Sequence, residues 1–118
     1  MLNVDPTTPY FVQIPVADAI ETTYTPVRTF EGQTYFDYAA ELHMSGYDYH
    51  PADVALARLY ASSYARKCER VAGNPLPQRG EIPAAYASIF RYALTKQRQA
   101  RQAREMEALM HLPVMHLN

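Results

Sequence analysis

HPADVALARLYASSYARKCERVAG, residues 50–73, decides the fold. Pro51 suits a first helical turn, where its missing N–H costs nothing, and Asp53 is placed to complement the helix dipole. His50 falls at the N-cap, and Gly73-Asn74-Pro75 ends the segment. Between these limits Val54, Ala57, Ala61, Tyr64, Ala65, Cys68 and Ala72 recur three and four apart, which predicts one apolar helical face. Most of those side chains are small. An alanine stripe lets a second helix approach closely, so a near neighbour is expected along it.

Working outward, the linker NPLPQRGEI (74–82) separates this helix from a second helical run that Pro83 opens and Pro113 discourages beyond about residue 112. At about 1.5 Å per residue such a helix would be about 45 Å long, against about 30 Å for a domain of this size, so it must overshoot, bend or break. Its first part (Ala84, Ala85, Tyr86, Ala87, Ile89, Phe90, Ala93, Leu94) is expected to pack on the alanine stripe.

Toward the N-terminus, Thr34 followed three residues later by Asp37 reads as an acidic capping box, with Gly46 closing a helix over 35–45. Phe36, Ala39, Ala40 and His43 would then share a face. Residues 1–33 hold four prolines among β-branched and aromatic residues. YFVQIPVA and IETTYTPV look like strands, with Pro15 and Pro26 confined to edges or irregular arms because neither can donate to a ladder.

The fold class expected is mainly α, about three helices with the last one long, preceded by a short extended or β-hairpin segment, with α+β as the alternative. One domain accounts for all 118 residues: an extended segment at 1–33, two helices within 34–73, the linker at 74–82, the long helix at 83–112 and a tail at 113–118.

A single cysteine, Cys68, allows no intrachain disulfide. The N-terminal residues lack the basic-then-apolar pattern of a signal peptide, and no stretch has the length needed to span a bilayer. These features lead to the expectation of a cytoplasmic protein with no membrane contact.

Net charge is −1, but it is unevenly distributed. Residues 1–53 carry eight acids against Arg28, whereas residues 54–118 carry ten bases against four acids. Such polarity either drives contacts with a partner or is satisfied inside one fold.

The stretch KQRQARQARE (96–105) has no large apolar side chain and reads as a solvated bridge; EMEALMHL (105–112) is abruptly greasy. Burying a Leu or Met side chain is worth about 1.5–3 kcal/mol, so Met106, Leu109, Met110 and Leu112 should dock: on their own domain through a break in the helix, on a neighbouring subunit, or on a different protein. Methionine adapts to irregular partner surfaces. The acidic loop residues Tyr47, Asp48 and Tyr49 add aromatic area with polar handles, and tyrosine is enriched at protein interfaces.

These seven residues are the candidate protein-binding set. They imply a non-enzymatic regulator or inhibitor that binds another protein and forms a homodimer. The alternative is nucleic-acid binding through Arg91, Lys96, Arg98, Arg101 and Arg104. Phosphate contacts by the last four would give a salt slope of about −3.6, roughly a hundredfold weakening between 50 and 200 mM salt.

Catalytic and metal readings are weaker. Glu41, His43, Asp48, His50 and Asp53 form the densest polar cluster, but capping explains His50 and Asp53. His111 and His116 among methionines lack ligand spacing, and Cys68 reads as a small apolar residue. No phosphate loop, zinc pattern, nucleophile elbow or dinucleotide fingerprint occurs, so no catalytic residue, metal or cofactor is expected.

Overall fold

The computed structural model describes residues 10–15 and 22–111. It has a three-stranded antiparallel sheet, β1 (Tyr10–Pro15), β2 (Thr22–Phe30) and β3 (Gln33–Phe36), followed by α1 (Tyr38–Ser45), α2 (Pro51–Ala72) and α3 (Ala87–Met110). The chain is mostly helical, yet the sheet makes it α+β, the alternative class above.

β3 replaces the start of the expected first helix. Glu31 and Gly32 both take positive φ, which a two-residue hairpin turn matching the strand twist requires, and Phe30 then faces Gln33. Pairing through Val27 and Phe36 holds residues 33–36 extended, so Thr34 does not cap a helix. Asp37 does, its Oδ1 accepting the Ala40 N–H at 3.1 Å. The expected face also changes: Tyr38 and Leu42 pack on the core, while Ala39 and His43 face solvent.

β2 is the central strand and contains Pro26, which the sequence places at an edge. The ladder resolves this locally. β3 ends opposite Val27, so Pro26 lies past its end, and its carbonyl accepts the Asp37 N–H at 2.9 Å instead. The outer edge of β3 is covered by the end of the linker, where the Phe36 N–H donates to the Ile82 carbonyl and Tyr35 bridges to Pro83.

α2 has the limits its caps imply. His50 Nδ1 accepts the Ala52 N–H at 3.1 Å, and Gly73 closes the helix at φ 77. Ala57, Ala61 and Ala65 are fully buried, and Ala57 and Ala61 share one core with Ala87, Phe90, Ala93 and Leu94 of α3. Tyr64 and Ala72 of the expected stripe remain exposed. Phe90 fills the space the alanines leave, meeting Phe36 edge-on with ring centroids 5.3 Å apart. Pro83 opens only a short 3₁₀ turn (Ala84–Tyr86), and α3 proper runs unbroken for 24 residues, about 36 Å.

Candidate functional site

α3 passes the rest of the fold and continues. Its last tether to α2 is Arg101, whose Nε and Nη2 donate to both oxygens of Asp53 at 2.8 and 2.9 Å, in the first turn of α2. Every residue from Gln102 to His111 is exposed, including Met106 (59%), Leu109 (63%) and Met110 (80%). Of the three docking routes open to this segment, a fold-back through a break is absent up to His111, because the helix does not break. Leu112 and His116 lie outside the described residues.

The loop tyrosines and the basic strip meet. The Arg98 guanidinium lies 5.0 Å from the Tyr47 ring and 5.9 Å from Tyr49, and the two rings contact each other edge-on. Asp48 between them is exposed. With Leu42, Ser45, Thr95 and Gln99, Tyr49 and Arg98 line a groove of about 400 Å³ between α1 and α3. The face of α3 that lines the groove continues toward the exposed end: Thr95, Gln99, Gln102, Met106 and Leu109 are spaced four, three, four and three, so they form one strip along α3.

The remaining bases are largely engaged within the fold. Arg91 pairs with Glu41 and donates to Thr25 Oγ1, tying α3 to α1 and β2. The Lys96 ammonium sits 5.6 Å from the Tyr92 ring. Arg104 makes no hydrogen bond or ion pair among the described residues and reaches Asp53 only through its field. Part of the charge polarity is therefore satisfied in cis, since Glu41–Arg91 and Asp53–Arg101 each join the acidic half to the basic one.

The polar cluster around His50 is dispersed. Glu41 and Asp53 serve as arginine partners, His50 caps α2, and His43 and Asp48 face solvent. Among the described residues no group of three or more His, Cys, Asp or Glu stands together to hold a metal ion, and no helix is long and apolar enough to cross a membrane. Cys68 is half-buried on α2.

Asp53 gives the site a pH signature. The hydrogen bonds from Arg101 hold its carboxyl below the ordinary 3.8, opposing burial, which pushes it up. A carboxyl with a lowered folded pKa contributes stability that is fully present above the unfolded value and is lost as pH falls through the folded one. Arg101→Gln removes the largest lowering contact and leaves only the weaker fields of His50 and Arg104 against burial, so acid unfolding followed by circular dichroism is expected to begin at a higher pH. An unchanged acid midpoint would contradict the Asp53–Arg101 tether.

No protein-family model, curated protein or solved structure matches this chain.

Proposed function

We propose that the chain acts by binding another protein, as a non-catalytic regulator or inhibitor, and that the overhanging end of α3 is its contact. The observation that carries this reading is the exposure of Met106, Leu109 and Met110 on a helix end that no other element among the described residues covers. Nine or so residues of helix without tertiary support are marginal in water, and large apolar side chains on such a segment mark a surface that gains by docking.

A second copy of the chain fits the strip. Laying two α3 helices antiparallel, with a two-fold axis between Ala100 and Arg101, sets Met106 against Thr95, Leu109 against Tyr92 and Gln102 against Gln99 of the other copy. The apolar end of each copy then approaches the α1–α3 groove of the other, and Arg98 nears a Glu105 of opposite charge.

Light scattering on the full chain and on a version ending at Glu105 tests this pairing. Twice the chain mass for the first and a monomer for the second support it; monomers in both remove the homodimer. A pull-down repeated after nuclease treatment separates the wider reading from nucleic-acid binding. Partners that persist favour protein contact. Partners that vanish would shift the function to Lys96, Arg98 and Arg104, with a salt slope of about −2.7 now that Arg101 is engaged by Asp53.

A further inference from the structure

The far side of α2 carries a charge cluster with no internal answer. Arg28, Arg91 and Arg101 each contact a carboxylate, whereas Arg58, Arg66 and Arg79 form no ion pair among the described residues. These three guanidinium groups, with Ser62, Ser63 and Gly80, line a hollow of about 500 Å³ that includes no acidic residue. Arg58, Ser62 and Arg66 follow one another at four-residue steps along α2, and the linker returns to place Arg79 and Gly80 beside them.

Arg58 is held in position. Its Nε donates to the Gly80 carbonyl at 2.9 Å, and its guanidinium lies 5.2 Å from the Tyr38 ring. Gly80 takes φ +84, and a Cβ there would stand 2.8 Å from Arg58 Nη2, so glycine leaves the space in which the fork rests. The Nη donors of Arg58 have no acceptor among the described residues. A pre-placed guanidinium with spare donors, two more cations beside it and no carboxylate suits a group carrying two negative charges and several acceptor oxygens.

We propose that this hollow binds the phosphate of a small phosphate monoester. Arg58 and Arg66 hold the phosphate from α2, Arg79 closes over it from the linker, and the hydroxyl of exposed Ser63 adds a donor. Ala55 and Leu59 offer an apolar wall to the carbon skeleton. None of these residues lines the α1–α3 groove or the end of α3, so the site stands or falls independently of the protein-binding reading.

The test is an amide and arginine-Nε NMR titration of the full chain with ribose 5-phosphate, with ribose as the uncharged control and a mixed-sequence single-stranded oligonucleotide as the diester. Saturating shifts at Arg58 Nε, Gly80 and Ser63 are expected with the monoester and none with ribose. Arg66→Ala and Arg79→Ala, which alter side chains outside the core, are each expected to weaken binding about tenfold. Inorganic phosphate should reproduce the shifts with lower affinity. Non-saturating shifts, affinity unchanged in both variants, or tighter binding of the oligonucleotide than of the monoester would each overturn the proposal.

Discussion

Replacing Met106, Leu109 and Met110 together by glutamine is expected to weaken association through α3 by about a thousandfold or more, with the melting temperature of the isolated chain unchanged. Each of these side chains is worth about 1.5–3 kcal/mol when buried, and about 1.4 kcal/mol is a factor of ten in affinity. All three are exposed in the chain alone, so their removal takes nothing from the core. Glutamine keeps a helix propensity close to that of leucine and methionine, which separates loss of the contact from loss of the helix. Analytical ultracentrifugation over a wide concentration range measures the first quantity and thermal circular dichroism the second. Association that survives the triple replacement would place the contact elsewhere.

Phe90→Ala is expected to destabilise the fold by about 3–5 kcal/mol, a large share of the roughly 5–15 kcal/mol typical of a domain. Phe90 is fully buried where α3 crosses the alanine face of α2, and its ring also meets Phe36 and Tyr38. Ala57 and Ala61, which share its core on α2, carry no side chain able to fill the void. Urea unfolding should show a lower midpoint at similar slope. A change below about 1 kcal/mol would mean that the helix pair, and with it the platform from which α3 projects, is not organised around this ring.

The parts of this fold legible in the sequence are those set by local spacing. Alanines at 57, 61 and 65 between Pro51 and Gly73 announce both a helix and the close approach of another, and α3 packs there. β3 is hard to read from the sequence because two local patterns compete there. Thr34 and Asp37 satisfy a helix-start pattern, but pairing with β2 and with residues 82–83 outweighs that preference, and Asp37 takes the cap three residues later than the pattern suggests. The sequence signal for the hairpin is Gly32 in a two-residue gap, Glu31-Gly32, between runs rich in Thr, Tyr, Val and Phe.

The candidate site divides along the same line. Met106, Leu109 and Met110 were legible as a greasy segment after a polar one, because a composition change is local. That Arg98 would lie against Tyr47 and Tyr49, or that Arg101 would be held by Asp53, was not, since those contacts span about fifty residues and depend on how α2 and α3 cross. The Arg58, Arg66 and Arg79 hollow was missed for a related reason. Two of its members look like the solvated face of a helix until the linker brings the third alongside.

Hydrogen–deuterium exchange across residues 102–111, measured on the full chain as concentration rises and again with any captured partner, tests the central claim most directly. The expected result is fast exchange in the dilute chain and marked protection of the Met106–Met110 amides on association, while residues 87–98 stay protected throughout. Amides at 106–110 that exchange at the unprotected rate at every concentration and in every complex would contradict it.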